Sequence, residues 1–76
     1  MEERVKKIII EVLKKEGKET SQQIDYSTRL REDLGFDSLM LAVLTVIIED
    51  EFGIDIFEDG LVETFGEIVE ILKKKV

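Results

Sequence analysis

The sequence predicts an all-α fold, a bundle of three main helices and one short one. Three observations carry this expectation. Apolar residues return at helical spacing in the first segment and in a long middle one, a capping pattern opens the last, and no extended segment finds a partner strand. In the first segment, Val5, Ile8, Ile9, Val12 and Leu13 share a face, with Lys and Glu between them. Lys14 and Lys15 suit the negative end of a helix, and Gly17 supplies the left-handed residue that stops it, so this helix should run from about Glu3 to Glu16. From Lys18 to Phe36 no period survives. Thr20, Ser21, Asp25, Ser27, Thr28 and Gly35 are scattered among the apolar anchors Ile24, Leu30 and Leu34, the pattern of a long ordered loop, which in a small domain is often functional. A second helix should begin at Asp37–Ser38 and continue to about Glu51, with Phe52–Gly53 closing it. Ile54 to Phe57 is too short and isolated for a sheet, and Glu58 to Glu63 has room for a short third helix at most. Thr64-Phe65-Gly66-Glu67 reads as a capping box for the last helix, which turns Ile68, Ile71 and Leu72 inward and ends in Lys73, Lys74 and Lys75.

Composition narrows the function. The chain has 76 residues, enough for one domain over 1–76 with a modest core. Cysteine and histidine are both absent, which removes thiol nucleophiles, disulfides, the commonest general base and the favoured zinc ligands. No catalytic or metal-binding residue is therefore expected. An EF-hand is excluded as well, because a calcium loop over Asp50 to Leu61 would put Phe52, Ile54 and Ile56 at oxygen-ligand positions. Eighteen acidic residues face eleven basic ones, a net charge of −7, which repels nucleic acid and complements a basic protein surface, or simply keeps a small domain in solution. The longest apolar run, Leu39 to Leu44, is far short of the ~20 residues that span a bilayer, and no charged-then-apolar leader opens the chain. A cytoplasmic location is expected.

The second helix is apolar on two faces. At about 100° per residue, Leu41, Leu44, Thr45, Ile48 and Phe52 fall on one side and should pack on the first and last helices. Leu39, Ala42, Val43, Val46 and Ile47 fall on the other, with Asp50 at the end of the stripe. A chain this short has too little other helix to surround both faces, so the second stripe is expected at the surface as a docking face. Glu49, Asp50 and Glu51 sit where the helix dipole disfavours negative charge; they are either a solvated face or contacts for a basic partner. At the other end, Asp37–Ser38 taken alone is an N-cap. The same place has a second physical use, because free N–H groups and the dipole stabilise a phosphate there.

Leu34-Gly35-Phe36-Asp37-Ser38-Leu39 resembles the attachment motif of acyl carrier proteins, in which the serine of Gly-x-Asp-Ser-Leu/Met receives 4′-phosphopantetheine. Leu30-Arg31-Glu32-Asp33-Leu34 resembles the family's approach to that motif. Glu49-Asp50-Glu51-Phe52-Gly53-Ile54-Asp55-Ile56 resembles its acidic helix end and following turn. Thr64-Phe65-Gly66-Glu67 stands where the family has Thr-Val-Gly-Asp. The likeness covers nearly the whole chain in order. It implies a four-helix bundle of acyl-carrier-protein type and a carrier, not an enzyme, with acyl intermediates held as thioesters on the arm of Ser38. Asp37 and Leu39 would be read by a phosphopantetheinyl transferase. Acyl-loading and acyl-processing enzymes with basic or apolar docking surfaces would meet Met40, Val43, Val46, Ile47, Glu49 and Asp50. Leu44, Ile48, Ile56, Leu61 and Ile68 are candidates to line a pocket for the acyl chain, or are plain core.

The chain also departs from the family pattern. Met40 and Val43 stand where acids are common, Phe57 stands where proline is frequent, and the segment from Glu58 to Glu63 is short. These departures weaken the case for the ordinary fatty-acid synthase enzymes, whose basic patches read those acids, and suit a specialised partner with a more apolar surface; polyketide, peptidyl or D-alanyl carriers are alternatives. So is a helical interaction module never modified on Ser38. A monomer is expected, with a dimer through the stripe as the other possibility.

Overall fold

Helix α1 (Glu2–Lys15) forms where the 3.6-residue period is cleanest, burying Val5, Ile8, Ile9, Val12 and Leu13 along one side. Glu2 and Glu3 lie at its positive end and Lys14 and Lys15 at its negative end. It stops as expected at Gly17, at φ 72°, whose N–H donates to the Lys14 carbonyl at 3.0 Å. The Lys18 N–H then turns back to the Leu13 carbonyl at 2.8 Å, which completes a Schellman motif. The computed structural model describes residues 1–18, 23–58 and 60–75; Thr20 and Ser21, assigned above to the loop, lie outside the described residues.

Helix α2 (Ser38–Phe52) is capped by Asp37 and ends at Gly53, at φ 71°. Helix α3 (Phe65–Lys75) follows the predicted capping box: the Glu67 N–H donates to Thr64 Oγ1 at 3.1 Å, and the Thr64 N–H donates to the Glu67 carboxylate at 3.3 Å. The expectation of an all-α fold holds, with three helices and, among the described residues, a single isolated bridge between Arg29 and Thr64 in place of any strand. The short helix expected between Glu58 and Glu63 is replaced by turns among the described residues. Asp55 draws the Phe57 N–H onto its carboxylate at 2.9 Å and the Glu58 N–H onto its carbonyl at 3.2 Å, and Gly60 at φ 132° leaves helical space. The chain must then extend, because the Glu63 carbonyl accepts from the Leu30 N–H at 2.9 Å.

The core joins α1, the inner face of α2, α3 and the loop anchors Ile24, Leu30, Leu34 and Phe36, all buried. Complete burial of side chains of this kind is worth roughly 1.5–3 kcal/mol each, so the anchors fix the long loop far more firmly than its surface ion pairs do. No buried side-chain nitrogen or oxygen lacks a partner among the described residues. Outside the core, Arg4 of α1 and Glu51 of α2 form a two-pronged ion pair, with Nη2 to Oε1 at 2.6 Å. Tyr26 ties the loop to both helical ends: its hydroxyl donates to Glu2 at 3.1 Å and accepts from Lys73 Nζ at 3.2 Å, while its ring meets Phe65 edge-on.

The loop and α3 are joined backbone to backbone. The Phe65 N–H donates to the Thr28 carbonyl at 2.9 Å and the Gly66 N–H to the Tyr26 carbonyl at 3.1 Å. That approach is why position 66 is glycine. A Cβ there would lie 2.7 Å from the Tyr26 carbonyl oxygen, a main-chain atom that cannot swing aside. Alanine is the better helix former by up to ~1 kcal/mol, but overpacking of this kind costs about 1–3 kcal/mol. Gly66→Ala should therefore lower stability by roughly 1–2 kcal/mol, read as a lower Tm by circular dichroism; an unchanged or raised Tm would show that the loop does not press on α3.

Candidate functional site at the mouth of α2

Ser38 is the first residue of α2 and is exposed, with the deeply buried Phe36 two residues before it. Gly35 precedes them at φ 76°, and its carbonyl accepts from Lys18 Nζ at 2.7 Å, which ties this turn to the end of α1. Asp37 is in an extended conformation and acts as the N-cap: its Oδ1 accepts from the Met40 N–H at 2.9 Å, and its carbonyl accepts from the Leu41 N–H at 3.0 Å. The N–H groups of Ser38 and Leu39 precede the first intrahelical bond and meet no acceptor among the described residues. They remain available beside the serine hydroxyl. The hydroxyl oxygen itself accepts from Arg31 Nη2 at 3.2 Å.

The loop that delivers Arg31 and Ser38 is held by local carboxylates. Asp33 accepts the Arg29 N–H at 2.7 Å and also its guanidinium, and closes the turn through its own N–H to the Arg29 carbonyl at 2.9 Å. Asp25 accepts from the Ser27 hydroxyl at 2.7 Å and from the Ser27 N–H at 2.9 Å. Both acids are held below the ordinary aspartate range, Asp25 first by the Ser27 hydroxyl and Asp33 first by the Arg29 N–H. Beside this loop lies a cleft of about 340 Å³, lined by Arg29, Arg31 and Glu32 of the loop and by Leu41, Phe57, Leu61, Val62 and Glu63.

A phosphodiester fits the mouth of α2. An exposed hydroxyl, open N–H groups at a helix N-terminus and a guanidinium beside the same oxygen are what a phosphate monoanion needs. The geometry defines a small helical domain that presents Ser38 to solvent at the mouth of a helix. Residues 3–73 match the model of the phosphopantetheine attachment site, and the chain belongs to that family. The prosthetic group of such a domain is 4′-phosphopantetheine, and the chain is a carrier protein. It is similar to the solved structure of a candidate acyl carrier protein from Mycobacterium tuberculosis, at 29% identity and a TM-score of 0.79, over 99% of this chain and 97% of that one. The fold is thus of the all-α, acyl-carrier-protein type.

The residues singled out from sequence fall in different places. Leu39 and Val46 stand out from α2 at 63% and 66% exposure, Ala42 is exposed between them, and Val43 and Ile47 are half-buried at the margin of the stripe. Met40 does not belong with them. It is 0% exposed, because at about 100° per residue it shares the inner arc of α2 with Leu44, and it cannot present a docking surface. Glu49 and Asp50 are exposed, whereas the neighbouring Glu51 is spent on Arg4. Leu44, Ile48, Ile56 and Ile68 are sealed in the core; Leu61, grouped with them above, is instead 95% exposed on the wall of the cleft, since the chain runs extended there. Sequence reasoning does not single out Arg31 as a site residue. It lies seven positions before Ser38 in a segment with no period, so only the closed turn reveals the contact.

Depressed carboxylates give a signed pH response. The unfolded chain binds protons to Asp25 and Asp33 more readily than the folded one, so their support for the loop is complete above the ordinary aspartate pKa of about 3.9. It is lost as pH falls through their lowered folded values. Acid titration followed by Tyr26 emission should show the loop loosening on the acid side of that range, with a smaller change in Asp33→Asn; a flat signal along the whole acid limb would contradict it.

Proposed function

We propose that this chain is a single non-catalytic carrier domain whose Ser38 bears the 4′-phosphopantetheine arm and which carries acyl groups as thioesters on it. The observation behind this reading is the open position of the Ser38 hydroxyl, at a helix mouth whose N–H groups and neighbouring Arg31 favour an anionic phosphoester. Loading is phosphoryl transfer in the site of a separate transferase: the Ser38 oxygen forms a bond to the β-phosphorus of coenzyme A, its proton leaves to a base, and the adenosine-bearing phosphate departs. The arm brings a thiol, the nucleophile that a chain without cysteine cannot supply. Partner enzymes would then dock on the outer stripe of α2, on Leu39, Ala42 and Val46 with Val43 and Ile47 at its edge, and on the exposed acids Glu49 and Asp50.

The proposed setting is the cytoplasm, in fatty-acid or related biosynthesis. The apolar start of α2 suits a loading enzyme whose docking face is more apolar than basic. Incubation with coenzyme A and a broad-specificity transferase should add the arm to the wild-type chain and not to Ser38→Ala, read by intact-protein mass. Wild-type protein left unmodified under conditions that load other carriers would refute the reading and leave a helical interaction module in its place.

A further inference from the structure

Among the arginines, Arg4 is held by Glu51, and Arg29 by Glu32 and Asp33. Arg31 is different. It has no carboxylate partner among the described residues, although Glu32 adjoins it in sequence and the chain is strongly acidic. Its side-chain hydrogen bond goes to a neutral acceptor, Nη2 to Ser38 Oγ at 3.2 Å. A guanidinium carries five N–H donors in a planar fork, so most of its donors are unused in this arrangement. Its position is not accidental side-chain drift either. The Arg31 carbonyl accepts from the Gly35 N–H at 3.1 Å, and Leu30 and Leu34 on either side are buried, so the backbone that projects it is anchored. Arg31 also lines the cleft, together with Leu41, Phe57 and Leu61.

We propose that Arg31 is a positioning residue that clamps the phosphodiester of the loaded form, exchanging its single bond to the neutral Ser38 Oγ for ion-paired bonds to the phosphate's non-bridging oxygens. The inference rests on attachment at Ser38. Nitrogen donors in a fork match phosphate oxygens in pairs, and a bond from a guanidinium to an anionic oxygen is stronger than one from the same group to a neutral hydroxyl. The clamp fastens the turn over residues 29–36 to the mouth of α2, and so links the loop to the state of the arm. Loading should then make the whole protein harder to unfold, through a contact that the unloaded chain makes only weakly.

The test compares loaded and unloaded full-length protein, with loading verified by intact mass. For the wild type, loading should raise Tm by about 3–5 °C at low salt, a gain that shrinks as ionic strength rises. In Arg31→Gln the gain should disappear and the phosphorus resonance of the loaded protein should move from its wild-type position. Arg31→Lys, which keeps the charge and loses the fork, should retain part of the gain. Helical circular dichroism of the unloaded variants serves as the folding control. An equal Tm gain and an unmoved phosphorus resonance in loaded Arg31→Gln would overturn the clamp and leave the carrier reading intact. A wild-type chain that accepts no arm would bring down both.

Discussion

The backbone junction between the loop and the start of α3 is the contact on which the rest depends. Thr28 and Tyr26 offer their carbonyls to the Phe65 and Gly66 N–H groups, and the capping box takes the Glu67 N–H. The N-terminus of α3 is thereby closed, every early donor answered by protein. The mouth of α2 is built by the same helix physics and left open: Asp37 satisfies Met40, while the N–H groups of Ser38 and Leu39 meet no acceptor among the described residues. One helix end is used for structure and the other is available for chemistry. Because a single loop runs from the first to the second, the rigidity of the closed end sets the position of the open one.

The loop bears this without regular structure because it is pinned at both scales. Ile24, Leu30, Leu34 and Phe36 drive into the core, and Asp25 and Asp33 satisfy the local N–H groups that would otherwise face solvent or compete for other partners. The hydrophobic anchors supply most of the energy, and the carboxylates supply shape. Arg31 projects from a turn closed by main-chain bonds to the Arg29, Leu30 and Arg31 carbonyls, so its reach to Ser38 is a property of the turn rather than of a free surface side chain.

Helix α2 divides its apolar residues between two tasks. Met40, Leu41, Leu44 and Ile48 complete the core, and Leu39, Ala42 and Val46 lie outside it. The acids at its C-terminal end divide in the same way: Glu51 closes on Arg4 and joins two helices, while Glu49 and Asp50 stay outward. The outward residues are the part of α2 that intramolecular packing does not explain, and they border the serine.

The helices, their caps and the serine were legible from the sequence, because each rests on interactions within a few residues: the 3.6-residue period of α1, the left-handed Gly17, the Thr64–Glu67 box and the Asp37 cap. The attachment motif was legible for the same reason, being contiguous. Only the tertiary structure decided which side of α2 Met40 joins, that Glu51 is consumed by Arg4, that residues 61–63 run toward Leu30 instead of coiling, and that Arg31 meets Ser38. Each of those depends on a partner remote in sequence or on the path of an aperiodic loop. Local hydrogen bonding and periodicity carry no information about such meetings; burial and chain closure do.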